Sequence, residues 1–225
     1  MLYDFHTHSF HSDGVLSPIE LIRRAVVQGY SAIAITDHIG VGSLGRVIKE
    51  VSEDCALARA YWNILAIPGV ELTHIPARAI SEVAQRAKEL GAWLVVVHGE
   101  TPSEPVEKGT NHATALSPYV DILAHPGLIT PEEAALAAKN NIFIELTARK
   151  GHSTANAHVA RVSQKSEAHL LVNSDAHDET DLLTLPLAKT ILRQAGLGEQ
   201  QYQQILDRNP TILIEKVKRS ASNSG

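Results

Sequence analysis

Apolar residues collect in seven short runs along the chain, near residues 2–6, 32–36, 64–71, 93–97, 121–124, 142–147 and 169–173. Several are apolar without interruption, as in Ala32-Ile33-Ala34-Ile35, Leu94-Val95-Val96-Val97 and Leu170-Leu171-Val172. Such runs fit strands covered on both faces, because a half-exposed strand alternates apolar and polar positions. Helical spacing and stop signals fill the gaps. Ser17-Pro18-Ile19-Glu20 offers a cap and a first-turn proline, and Gly29 ends that helix. Residues 80–90 stop at Gly91, Thr130-Pro131-Glu132-Glu133 leads to Asn140, and residues 182–195 stop at Gly196. Residues 199–208 make one more helix, which Asn209-Pro210 is expected to break. The polar segment 218–225 is expected to be a disordered tail, leaving residues 1–217 as one domain.

Neighbouring runs lie ~20 to 30 residues apart, the size of a strand plus a crossover helix. Seven repeats of that unit predict a parallel α/β fold, either a barrel or a doubly wound sheet. What stands at the end of each run decides between them. The segments are Asp4-Phe5-His6-Thr7-His8 with Ser12-Asp13-Gly14, Thr36-Asp37-His38, Gly69-Val70-Glu71, Val97-His98-Gly99-Glu100, Ala124-His125-Pro126, Ile144-Glu145-Leu146 and Ser174-Asp175-Ala176-His177. Every one carries a histidine or a carboxylate. A doubly wound sheet gathers its ligand from few strand ends at one switch point. Contributions from every strand need a closed barrel whose C-terminal rim faces one cavity. His6 and His8 are spaced i, i+2, as are Asp175 and His177, so each pair points to one face of its strand.

At 225 residues the chain can bury a large core. Its net charge of −5, with Lys and Arg dispersed, shows no basic face for nucleic acid. No apolar stretch approaches the roughly 20 residues that span a bilayer, and the first residues enter a strand at once, which leaves no room for a secretory signal. The single cysteine, Cys55, allows no internal disulfide, so a reducing cytoplasm is the expected location. Twelve histidines against three phenylalanines is a balance that favours metal binding.

The ordered set His6-Thr7-His8, Ser12-Asp13-Gly14, Thr36-Asp37-His38, Gly69-Val70-Glu71, Val97-His98-Gly99, Ala124-His125-Pro126 and Ser174-Asp175-Ala176-His177 resembles the PHP superfamily, the polymerase and histidinol phosphatase domains. The resemblance runs from the first strand to the last. It implies a distorted seven-stranded (β/α)7 barrel holding up to three metal ions. It also implies one site from His6, His8, Glu71 and Asp175, a second from Glu71, His98 and His125 with Glu71 bridging, and a third from Asp13, His38 and His177. Glu71, Asp175 and His177 are the expected catalytic residues. His11 is the rival to Asp13, and Asp37 and Glu100 are either acceptors behind the ligands or solvated.

Imidazole and carboxylate without thiolate suit Zn²⁺, Mn²⁺ or Fe²⁺. Two or three such ions lower the pKa of bound water toward ~7 and supply a hydroxide nucleophile at neutral pH. Set against Asp13, Glu71 and Asp175, they leave a positive pocket in a negative protein, which favours a small anionic substrate such as a phosphate ester. Arg149, Lys150 and His152, after the sixth run, are the expected substrate-binding residues, since a guanidinium pairs with phosphate oxygens bidentately. The connection 99–118, with Pro102, Pro105, Gly109 and Asn111, is expected to shape the mouth. The expected activity is hydrolysis of a phosphomonoester or small phosphodiester, with histidinol phosphate among the candidates. A metallo-amidohydrolase is the alternative enzyme, although the fourth run, Trp93–His98, lacks the lysine such enzymes often carry. A non-catalytic metal-binding domain is the other alternative, and the complete ligand set argues against it. The absence of a basic groove argues against a nuclease.

Overall fold

In the computed structural model, which describes residues 1–223, the apolar runs form strands β1 (Tyr3–Asp4), β2 (Ala32–Ile35), β3 (His38–Ile39), β4 (Leu65–Leu72), β5 (Leu94–His98), β6 (Ile122–Ala124), β7 (Phe143–Thr147) and β8 (Leu170–Asn173). All pair in parallel, in the order β1-β2-β4-β5-β6-β7-β8, and β3 continues the stave of β2 by pairing with the upper half of β4. Seven parallel staves thus form a nearly closed (β/α)7 barrel, as the sequence predicts. Around it run α1 (Pro18–Val27), α2 (Leu44–Tyr61), α3 (Ile80–Glu89), α4 (Thr110–Leu116), α5 (Pro131–Lys139), α6 (Asn156–Lys165), α7 (Leu185–Gln194), α8 (Glu199–Gln203) and α9 (Asn209–Asn223). Ser17 caps α1 and Thr130 closes a capping box on α5. Among the described residues no helix is long and apolar enough to cross a membrane.

Three expectations change. Asn209-Pro210 does not break the last helix: a π turn over Gln204–Arg208 joins α8 to α9. Pro210 then falls in the first turn of α9, where its missing N–H costs little. The polar segment from Lys218 is helical as far as Asn223, and residues 224–225 lie outside the described residues. The connection 99–118 is irregular only to Gly109, after which α4 begins.

The barrel interior has two levels. Tyr3, Phe5, Ala32, Ala34, Ile67, Leu94, Val96, Ile122, Phe143 and Leu171 fill the lower one, and Leu213 and Val217 of α9 close it from below. Two residues further along the same strand faces, the side chains turn polar. Glu71 stands two beyond Gly69 and four beyond Ile67, His98 two beyond Val96, Glu145 two beyond Phe143, and Asp175 four beyond Leu171. Gly69 is required between the levels, because a Cβ there would lie 2.8 Å from Thr36 Cγ2 and 3.1 Å from the Leu94 carbonyl oxygen.

The seam between the first and last staves is sewn partly by side chains. The Phe5 N–H donates to Asn173 Oδ1 at 3.0 Å, and the Ser174 N–H to Asp4 Oδ1 at 3.1 Å. Above them backbone bonds resume, from Asp175 N–H to the His6 carbonyl (2.9 Å) and from His8 N–H to the Ala176 carbonyl (2.8 Å). Replacing Asn173 with Ala strands the buried Phe5 N–H, so urea unfolding is expected to show a loss of about 1–3 kcal/mol. An unchanged midpoint and slope would show that the seam is held elsewhere.

Candidate metal centre

Glu71 lies at the centre of the upper level with none of its side chain exposed. Its Oε1 faces His6 Nε2 at 3.3 Å, His98 Nδ1 at 3.3 Å and His125 Nε2 at 3.6 Å. Its Oε2 faces His38 Nδ1 at 2.5 Å and His8 Nε2 at 3.8 Å. Asp175 Oδ1 lies 3.1 Å from His8 Nε2 and 3.8 Å from His6 Nε2, while its Oδ2 lies 3.8 Å from His125 Nε2. Asp13, at the open edge, reaches His177 Nε2 at 3.1 Å and His38 Nε2 at 3.8 Å. The structure therefore brings all nine sequence-selected residues into one constellation. It sends His11 elsewhere, to Glu50 at 3.3 Å. His125 (φ 27°) and Asp175 (φ 57°) both occupy the left-handed region. Such backbone costs about 1–3 kcal/mol per residue and collects where geometry serves a site.

Two carboxylates stand behind the histidines. Glu145 on β7 is fully buried and its Oε2 meets His6 Nδ1 at 2.7 Å. Glu104, on the loop after β5, faces His98 Nε2 at 3.2 Å and His152 Nε2 at 3.4 Å. Sequence reasoning placed Glu145 at a strand end without a role and passed over Glu104, whose position depends on a loop conformation that no periodicity encodes. Asp37 is buried and accepts from Ser9 N–H (2.7 Å), Ser9 Oγ (2.8 Å) and Ser12 Oγ (2.8 Å), so it shapes the loop that presents Asp13. Glu100 accepts from the Gly109 and Asn111 N–H groups and folds the other mouth loop.

The three residues expected to bind substrate separate. His152 joins the centre: its ring stacks on His125 with centroids 4.4 Å apart, and its Nδ1 meets Thr101 Oγ1 at 2.6 Å. Arg149 lines a cleft of about 420 Å³ with Lys150, Ser174, Thr180 and Asp181. There Asp181 Oδ2 accepts from Arg149 Nη1 at 3.2 Å and from the His177 N–H at 3.0 Å, which ties the arginine to the centre. Lys150 is exposed at the rim.

Burial by itself would raise the Glu71 carboxyl, but His38, His6 and His98 outweigh it and hold the group well below the usual carboxylate range. Burial would likewise lower His6, yet Glu145, Glu71 and Asp175 hold it well above its ordinary value. His38 is pushed up to about 9 by Glu71 and Asp13 against its own burial. His8 and His152, where burial dominates, fall to about 4. The acids are thus balanced by protons on imidazole. Divalent cations compete for the same atoms, because a metal ligand must be deprotonated.

The donor set fits such cations. His6 Nε2, both ring nitrogens of His8, His98 and His125, Glu71 Oε1 and Asp175 Oδ1 are buried without hydrogen-bond partners. Buried polar atoms are almost always paired, so an unpaired group of this size and composition could hold metal ions. Five subsets bring ligand atoms within 4.8 Å of one another: His8, Asp13, His38 and His177; His6, Glu71 and His125; His6, His8 and Asp175; His38, Glu71 and His98; and His125, His152 and Asp175. The last subset makes His152 a ligand-type neighbour, a position its sequence context did not suggest.

Comparison with known proteins agrees with this architecture. The chain is 43% identical over 218 residues to an uncharacterized protein of Methanocaldococcus jannaschii, covering 96% of this chain and all of that one. It is 26% identical to a probable phosphatase of Thermoanaerobacter sp., over 88% of each chain. The fold resembles that of histidinol phosphate phosphatase from Lactococcus lactis, solved in complex with zinc, L-histidinol and phosphate, with a TM-score of 0.59 at 14% identity over 88% of this chain and 94% of that one. The model of the PHP domain matches residues 4–216. With its barrel, its strand-end histidines and acids, and a match across nearly its whole length, the chain belongs to the PHP domain family.

Proposed function

We propose that this protein is a metal-dependent hydrolase of small phosphate esters, either phosphomonoesters or small phosphodiesters, with histidinol phosphate among the candidate substrates. The observation that carries this reading is the convergence of unpaired, buried imidazole and carboxylate atoms around Glu71. The probable phosphatase among its relatives, and the zinc and phosphate bound to the Lactococcus enzyme, support it. His6, His8, Glu71 and Asp175 would hold one ion, Glu71, His98 and His125 a second, and Asp13, His38 and His177 a third. When bound, divalent cations such as zinc, manganese or iron polarise a phosphoryl oxygen and bring the pKa of water toward ~7.

The chain's own residues do the remaining work. Glu71 and Asp175 balance charge from inside the centre, and each presents its two oxygens to different histidines. His177 and half-exposed Asp13 face the open edge, where substrate enters. Arg149 spends one guanidinium nitrogen on Asp181 and keeps further N–H donors for a phosphate oxygen. Lys150 adds charge at the rim, and His152 covers His125. A carbamylated-lysine amidohydrolase would find no lysine on β5. The test of the reading is phosphate release from a panel of monoesters and small diesters by metal-replete protein. A loaded enzyme that releases none would overturn it.

Three outcomes follow from the residue assignments. Elemental analysis of protein purified without chelator is expected to find two or three divalent ions per chain, and a reproducible single equivalent under replete conditions would remove the trinuclear assignment. Glu71→Gln keeps the size of the side chain but discards the charge opposite the imidazoles. It is expected to lose metal and turnover together while circular dichroism shows an intact barrel; full metal content with normal turnover would exclude Glu71. Arg149→Ala is expected to keep its metal and to lower kcat/KM by roughly ten- to a thousand-fold, or about 1.4–4 kcal/mol. Arg149→Lys should recover only part of that loss, and steady-state kinetics that show no change in Arg149→Ala would place the anion clamp elsewhere.

A further inference from the structure

Strand β7 supplies none of the nine residues assigned to metal, yet it places a carboxylate deeper in the barrel than most of them. Glu145 follows Phe143 on the interior face, has no exposed surface, and sits 2.7 Å from His6 Nδ1 through its Oε2. A carboxylate only accepts, so Nδ1 is the ring nitrogen that carries the hydrogen and donates it. The other nitrogen, Nε2, borders Glu71 Oε1 at 3.3 Å and Asp175 Oδ1 at 3.8 Å and has no hydrogen-bond partner of its own, so a cation that displaced its proton would find the lone pair there.

We propose that Glu145 is a positioning residue of the metal centre, fixing the tautomer and the orientation of His6 so that Nε2 serves as the ligand atom. The inference rests on the assignment of His6 to a bound ion. A purely structural role would not explain the arrangement. One carboxylate oxygen, Oε1, is buried without a partner, and so is His6 Nε2. A well-packed apolar pair of similar volume would be at least as stable as a buried pair left half satisfied. The Asp175 N–H on the His6 carbonyl fixes the backbone there, and the ring is flanked by His8 and His125 at centroid distances of 5.0 and 5.6 Å. Packing therefore places the residue, while Glu145, the one hydrogen-bond partner of the ring among the described residues, sets its rotation and tautomer. Glu104 stands behind His98 in a similar way, but on a loop and 37% exposed, where water can replace it. Glu145 has no exposed surface.

The experiment is a titration of metal-free protein with Mn²⁺ and with Zn²⁺ in competition with a chelating dye, for wild type, Glu145→Gln, His6→Ala and the double variant. Glu145→Gln is expected to weaken one ion by roughly ten- to a hundred-fold, the usual effect of losing a carboxylate behind a ligating histidine, while the other ions keep wild-type affinity. In the His6→Ala background the same change is expected to add nothing, since Glu145 acts through that ring. Wild-type affinity in Glu145→Gln, or an equal loss in both backgrounds, would overturn the proposal. Should Glu145→Gln fail to fold, Glu145→Asp keeps the charge but withdraws it from Nδ1 and is expected to show the same selective loss; wild-type affinity there overturns the proposal too. A wild-type protein that binds neither cation would remove the metal reading itself, which is a different result from a loaded protein indifferent to Glu145.

Discussion

Glu71 carries a negative charge with none of its surface in water, and the upper half of the barrel is organised around that fact. Desolvating a carboxylate costs several kcal/mol unless opposite charge or strong donors surround it. Here the surroundings are imidazole on nearly every side, five rings from four different staves. Each of those rings is in turn buried or half-buried and needs an acid, which Asp175, Asp13, Glu145 and Glu104 provide. Neither half of this set is stable without the other. The balance can be made by protons or by cations, so the centre is linked to both pH and metal supply.

The same charges lie across the seam of the barrel. His6 and His8 belong to the first stave, Asp175 and His177 to the end of the last, and the side-chain bond that joins the staves below them spans 170 residues of sequence. Closing the barrel and assembling the centre are consequently one event. An ion held by His6, His8 and Asp175 would bind the closed form and not the unfolded chain, and so would stabilise closure by an amount that grows with the logarithm of its concentration over its dissociation constant. The short β1 and the use of Asp4 and Asn173 side chains in place of a full backbone ladder make this the edge that gains most from such a bond.

Strands and ligand-type residues were legible because parallel strands buried on both faces must be continuously apolar, and because a change from apolar to charged at each strand end has few other causes. The spacing of Ile67 and Glu71, or of Phe143 and Glu145, already puts each pair on one face. What spacing does not contain is the partner across the barrel: nothing near Glu145 in sequence indicates that it meets His6, 139 residues away. Loop-borne contacts such as Glu104 to His98, and the stacking of His152 on His125, depend on backbone paths that local residues do not fix. The passage of the last helix through Pro210 was hidden for a related reason. A π turn changes the bonding register so that the proline falls where it is tolerated, and no composition signal marks it.

Leu213 and Val217 seal the lower end of the barrel, fully buried among the interior side chains. The upper level, where the histidines gather, is therefore shut off from below. On the proposed reading, what reaches the histidines comes and goes on the side of half-exposed Asp13 and the Arg149 cleft. In the proposed reaction the alcohol and the phosphate share that exit with the incoming ester. Departure and arrival then exclude one another, and turnover becomes a matter of single-lane traffic as well as of bond breaking.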